Sequence, residues 1–263
     1  MTEPDLTGMR AKILRADETI AKLETEENAF LAHNYHVVGR FDAAARAIAF
    51  TAFGEPSLPP RFAVLAGEVI HHLRSCLDHV VTQLVSVEGG TPDYRTEFPI
   101  CRTPDAFKKA QQRGKIDGVS ANAAKLIAAA QPYNADPNPE LSTILVLHDL
   151  DIVDKHRLVL IVVTTVLMAK TLGLDNKVDV DVIGMTPPPG GLKPSKEGTE
   201  VFRVFFGKRF DPEIKVQNDF GFEIVFPSFG PEKNVPMIKV LRHMRDAVVK
   251  VICGFFPSFA QPA

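Results

Sequence analysis

RFAVLAGEVIHHLRSCLDHVVTQLVSVE, residues Arg61 to Glu88, is the stretch on which the reading of the whole chain turns. Placed on a helix at about 100° per residue, it divides into two faces. Ala66, Val69, Ile70, Leu73, Leu77, Val80 and Leu84 make a continuous apolar face. Glu68, His71, His72, Ser75, Asp78, His79, Thr82 and Gln83 gather on the other side, with Arg74 at its edge next to Asp78. A solvated helix face ordinarily carries Lys and Glu as (i, i+4) ion pairs on long stems. This face has three imidazoles, one guanidinium and two carboxylates, and no lysine. Imidazoles titrate near neutral pH, so the row is a candidate chemical surface.

On the N-terminal side, Leu6, Met9, Ile13, Ile20, Leu23, Phe30 and Leu31 recur at three- and four-residue steps, with charges between them. They predict one long helix over 5–32, packed on the 61–88 helix as a bundle partner. From Asn34 the texture changes to short β-leaning runs. The alternation in Arg46-Ala-Ile48-Ala-Phe50-Thr-Ala-Phe53 outweighs the helical propensity of its alanines and predicts a hairpin over 35–53. Gly54-Glu-Pro-Ser-Leu-Pro-Pro60 breaks the chain before the central helix.

On the C-terminal side, Gly89-Gly90 and the proline-punctuated TPDYRTEFPICRTP form a loop. Two short helices follow, at about 104–112 and, capped by Ser120, at about 120–130. Arg102, Lys108, Lys109, Arg113 and Lys115 give this region a basic cast; it is either a solvated face or a surface that tracks phosphates. A helix from about 140 carries Leu141, Ile144, Leu145, Leu147, Ile152 and Leu158 on its apolar side. It also holds a second polar concentration: His148, Asp149, Asp151, Asp154, Lys155, His156 and Arg157. The β-branched run after Leu158 fits buried helix and strand equally, and periodicity does not decide between them. KVDVDVIGM, TEVFRVFF, EIKVQN and FEIVFPSF, between Lys177 and Phe229, read as strands, with turns at Pro187-Pro-Pro-Gly-Gly191 and Asn218-Asp219. A last helix runs from Val235 to about Ile252, with Lys239, Arg242, His243, Arg245 and Lys250 on its polar side. The expected fold is a single α+β domain: a helical bundle over about 5–32, 61–170 and 235–254, with an antiparallel sheet from about 35–53 and 177–229.

A chain of 263 residues, 45% hydrophobic and 24% charged, is long enough for a substantial core and not biased towards disorder. The net charge of -2 argues against nonspecific coating of nucleic acid, while leaving room for a local basic groove. Cys76, Cys101 and Cys253 are scattered without CxxC spacing, which fits a reducing compartment and excludes a zinc ribbon. MTEPDLTGMRAK has no apolar segment of the signal-peptide kind, and the apolar run Leu158 to Ala169 falls well short of the ~20 residues that cross a bilayer. The expectation is a soluble, cytoplasmic protein without a membrane partner. No phosphate loop, dinucleotide fingerprint or Gly-x-Ser-x-Gly elbow is present, and no cofactor is expected.

Four short motifs stand in order along the chain: Gly67-Glu68…His71…Leu73-Arg74-Ser75…Leu77-Asp78-His79, then Phe98-Pro99-Ile100, Gln131-Pro132-Tyr133 and Asp154-Lys155-His156-Arg157. Together they resemble a broad group of uncharacterised bacterial proteins over roughly residues 34 to 160; that resemblance brings no activity with it. Arg74-Ser-Cys-Leu-Asp-His79 also resembles the arginine, four-to-six residues, histidine signature of the HEPN (higher eukaryotes and prokaryotes nucleotide-binding) superfamily. That resemblance implies a helical bundle, and for many members a metal-independent endoribonuclease of toxin and defence systems. It also implies a homodimer, across whose groove the arginine and histidine act. Active members often carry Asn, Asp or His after the arginine; Ser75 stands there in this chain. The attached sheet is likewise not part of the minimal fold.

The residue chemistry is compatible with RNA cleavage. Cutting RNA without a metal requires a base near the 2′-hydroxyl, an acid for the leaving oxygen and a cation against the phosphorane charge. His79 is the candidate base or acid, Arg74 the phosphate clamp, and His71, three residues before Arg74, an assistant. Glu68, His72, Ser75 and Asp78, with Asp154, Lys155, His156 and Arg157, are the supporting residues, and Asp78 or Glu68 is placed to fix an imidazole tautomer. Lys108, Lys109, Arg113 and Lys115 are the candidate RNA-tracking residues. Against this stands a structural alternative: Arg74–Asp78 is an (i, i+4) ion pair, and the histidines bond to the Asp154–Arg157 segment in a buried network of a non-catalytic scaffold. A second alternative reads His148-Asp149 as the doublet of an HD-like metal phosphohydrolase, with His71, His79, Asp151 and Asp154 as further ligands. Glu68-Val-Ile-His71 is a single Glu-x-x-His, without the second copy that a di-iron bundle needs.

Overall fold

The computed structural model describes residues 3–54, 57–135, 142–167, 173–174, 182–186, 193–208, 216–217, 220–229 and 232–260. Among these the architecture is mixed α+β, with six α-helices and separate antiparallel sheets. Helix α1 spans Thr7–Asn34 and leads directly into the hairpin β1 (Tyr35–Asp42) and β2 (Ala47–Gly54). The decisive stretch is helix α2, Pro60–Val87, which starts on a proline at its first turn, where a missing N–H costs nothing. Every residue of its expected apolar face is buried, with Ala66, Val69, Ile70, Leu73, Leu77 and Val80 at 0% exposure.

Helix α2 is the centre of the bundle and packs against α1, against α5 (Thr143–His156) and against α6 (Met237–Phe255). Ion pairs line the α1–α2 seam: Arg15 to Glu68 at 2.8 Å and Arg61 to Glu26 at 3.0 Å. On the other side of α1, Arg245 of α6 holds Asp17 through two bonds of 2.9 Å, and Arg242 holds Glu24 at 2.6 Å. Two short helices, α3 (Pro104–Gln112) and α4 (Ala121–Ala129), begin as their caps dictate. Thr103 accepts the N–H of Ala106, and Ser120 that of Ala123.

The structure departs from expectation in the sheets. The bundle does not continue to residue 170. Helix α5 ends at His156, Arg157 is extended, and β3 (Val162–Leu167) follows. The β-branched run 162–166 is therefore strand, held by antiparallel pairing of Val162 with Val225 through Leu167 with Phe220. The expected single sheet is divided. Strands β1 and β2 join β6 (Thr199–Phe206) and β5 (Val182–Thr186) in the order β1-β2-β6-β5. Strand β8 (Phe220–Phe229) instead pairs with β3 and with β9 (Glu232–Pro236), in the order β3-β8-β9. A two-residue ladder joins β4 (Gly173–Leu174) to β7 (Val216–Gln217). Residues 232–236 thus form a strand, and the last helix begins at Met237, just after Pro236, rather than at Val235. The rest of KVDVDVIGM and EIKVQN, the turns at 187–191 and 218–219, and Leu141 lie outside the described residues.

Two apolar cores result. The large one unites α1, α2, α5 and α6 with Val163, Ile224 and Phe226 of the β3-β8-β9 sheet. The smaller is built by Ile48, Phe50, Ala52, Val201, Phe202, Val204 and Phe206 of the first sheet. One further expectation fails: Ile144, Leu145 and Leu147 of α5 are buried, but Ile152 and Leu158 are 44% and 50% exposed. Helix α5 turns Ile152 away from the core in its last turns, where Asp151 and Asp154 face α2 instead, and Leu158 lies past the helix end, beyond the extended Arg157.

Candidate functional site

Three of the four sequence motifs meet at one loop. Arg74 is 6% exposed, and its guanidinium donates from Nη1 to Asp78 Oδ1 at 2.6 Å and from Nη2 to the carbonyl of Phe98 at 3.0 Å. Asp78 Oδ1 also accepts the backbone N–H of Phe98 at 2.9 Å. The arginine and aspartate, one helical turn apart, thus satisfy both backbone groups of a single buried residue. Gln131, 2% exposed, does the same for the next residues. Its Oε1 accepts the N–H of Cys101 at 3.0 Å, and its Nε2 donates to the carbonyls of Pro99 at 2.7 Å and Ile127 at 3.1 Å. The Phe98 ring, fully buried, meets Phe255 of α6 edge-on at 6.4 Å.

The fourth motif packs α5 onto α2. The carboxylate of Asp154 lies against Gly67, in space that any larger residue's Cβ would occupy, so glycine is what lets the two helices approach there. Burial and the neighbouring Asp151 push the Asp154 carboxyl above its ordinary range. Asp151, 2% exposed, has both oxygens occupied: Oδ1 lies 3.3 Å from His71 Nδ1, and Oδ2 2.6 Å from Lys155 Nζ. The His71 ring itself is 58% exposed, while His156 and Arg157 extend into solvent.

Arg74 and His79 are not brought together. Five positions on a helix place them about 140° apart around the axis. Arg74 faces the Phe98 loop, whereas the half-buried His79 lies against Gly8 of α1. Burial and then Lys12 hold the His79 imidazole below its ordinary value, opposed by Asp78. His72 is held down in the same way, by burial and then Lys12 against Glu68, whose Oε1 is 3.8 Å from its Nε2. His72 Nδ1 is buried without a hydrogen-bond partner. Ser75 is half-buried. His148 of α5 also keeps a buried, unpartnered Nδ1, and burial together with Arg74 lowers its pKa.

Much of the basic run is neutralised locally. Lys115 pairs with Glu97, Lys108 lies 3.7 Å from Asp105, and Arg102 binds Asp149 at 2.5 Å; Lys109 and Arg113 are exposed. Among the described residues no group of three or more His, Cys, Asp or Glu side chains is arranged to hold a metal ion. No helix there is long and apolar enough to cross a membrane. Sequence reasoning missed Gln131 as an organising residue; the signal for it was its place in the Gln-Pro-Tyr motif. Comparison with protein-family models, curated proteins and solved structures finds no match.

Proposed function

We propose that this chain is a non-catalytic interaction module, in which the motif residues are architecture: they fasten the 98–101 loop and helix α4 to the bundle. The carrying observation is the burial of Arg74 and the commitment of its donors to Asp78 and the Phe98 carbonyl. A guanidinium spent on a backbone carbonyl and a neighbouring carboxylate is poorly placed to meet a phosphodiester. The test is incubation of purified protein with total RNA in EDTA, beside Arg74→Ala, His79→Ala and His71→Ala variants. RNA stays intact with all four proteins, while Arg74→Ala loses about 2–4 kcal/mol of stability by leaving Asp78 and Phe98 unpaired. RNA cleavage that disappears in Arg74→Ala and His79→Ala, with both variants still folded, overturns this reading.

One observation favours a second reading, an HEPN-like endoribonuclease acting as a homodimer. His71 presents an exposed ring whose Nδ1 is oriented by the buried Asp151, the arrangement that leaves Nε2 free as a proton acceptor. Under it, Lys155 is the adjacent cation and His71, rather than His79, carries the chemistry. RNA cleavage lost in His71→Ala and Asp151→Asn, yet kept in His79→Ala, decides for it.

A further inference from the structure

The loop fastened by the motifs stands behind an open groove between α4 and α6. Leu126, Ala129 and Ala130 form one wall, and Lys250, Val251, Gly254 and Phe255 the other, around a space of about 300 Å³. Both walls are tied to the same loop. Gln131 bonds the carbonyl of Ile127 in α4, and Phe98 seats its ring against Phe255 in α6. The α6 wall is open at Gly254, where a Cβ would meet nothing within 4 Å. Leu126 remains 42% exposed at the rim, although it is a residue type that cores normally absorb.

The chemistry of the lining selects the occupant. Apart from Lys250, its side chains offer no hydrogen-bonding group, so a sugar or nucleotide would leave hydroxyls unpaired against hydrocarbon. The occupant must therefore be apolar along its length, with its polar demand gathered at one end. Lys250 supplies the complement to that end: it is exposed, and among the described residues it has no ion-pair partner. A space of this size sits at the lower bound of small-ligand sites, enough for an unbranched chain of about eight to ten carbons.

We infer that the α4–α6 groove binds a medium-length saturated acyl chain bearing a free carboxylate, with the chain between Ala129 and Gly254 and the carboxylate on Lys250. The inference rests on the reading of the motif network as architecture, since that network holds the two walls in place. Each methylene removed from water there strengthens binding by up to about fourfold, so affinity rises steeply with chain length until the groove is full.

The experiment is a titration of the full chain with sodium octanoate, followed by backbone amide chemical shifts, beside butyrate and 1-octanol. Octanoate shifts the amides of Ala129, Val251 and Gly254 with a dissociation constant below about 1 mM. Butyrate binds at least tenfold more weakly. Gly254→Leu, which fills open space on a helix, abolishes the shifts, and Ala129→Leu repeats the result from the opposite wall. Lys250→Ala weakens octanoate by about tenfold and leaves 1-octanol unchanged. The inference is overturned by no saturable shift with octanoate, by shifts that persist unchanged in both filled variants, or by equal binding of octanoate and 1-octanol to the unmodified protein. None of these outcomes bears on the RNA and stability tests of Arg74, so the ligand assignment and the architectural reading fail separately.

Discussion

Glu27 of α1 accepts the backbone N–H of Ile224 in β8 at 2.8 Å, fastening the second sheet to the bundle through a carboxyl that is 7% exposed. Its other oxygen is buried without a partner. Burial pushes this carboxyl up to about 7; the Ile224 bond opposes the shift, and Glu223 and Glu24 add to it. Lys239 in turn faces Glu223.

A value raised from 4.5 to about 7 means that the folded protein holds this proton more tightly than the unfolded chain. The associated stability is complete below about pH 4.5 and is lost as the pH climbs through 7, a change of about 3 kcal/mol. Glu27→Gln keeps the acceptor for Ile224 without the charge. Denaturation measured at pH 5 and pH 8.5 shows the unmodified protein weakening across this window and the variant changing much less. Identical pH profiles for the two proteins contradict the assignment.

Gly67 and Asp154 are a matched pair. Gly67→Ala forces the Asp154 carboxylate aside and costs about 1–3 kcal/mol. In an Asp154→Ala background the same substitution meets no carboxylate and gains up to about 1 kcal/mol from helix propensity. A double-mutant cycle by urea unfolding reads the difference, and additivity of the two changes rules out the contact.

Gln131→Ala strips partners from the Cys101 N–H and the Pro99 and Ile127 carbonyls at once. The expected loss is about 2–4 kcal/mol, with faster proteolytic cutting between residues 92 and 102. Unchanged proteolysis would show that Gln131 does not hold that loop.

The thiol of Cys76 is buried and pushed up to about 12, first of all by desolvation. Iodoacetamide at pH 8 therefore labels the half-buried Cys253 in the native protein and reaches Cys76 only after denaturant is added. Mass spectrometry of tryptic peptides distinguishes the two sites.

What could be read from sequence was local. The buried stripe of α2, the hairpin expected over 35–53 and the Ser120 cap each follow from residues within a few positions of one another. The division of the sheets did not, because β8 chooses between β3 and β6 through partners far along the chain, and alternation is the same either way. The candidate site shows the same boundary. Spacing placed Arg74 one turn from Asp78, and the ion pair is there. Spacing could not say that Arg74 would donate to the Phe98 carbonyl, or that His79 would lie against α1.

The separation of the two apolar clusters has a consequence for how the molecule breathes. The first sheet organises its own cluster; among the described residues Phe222 packs against both clusters and Tyr35 of β1 is buried in the large one, so the β2–β6 pair can open while the helices stay closed. Amide deuterium uptake should then proceed in two tiers, with β2 and β6 exchanging as one cooperative foldon well before the centre of α2.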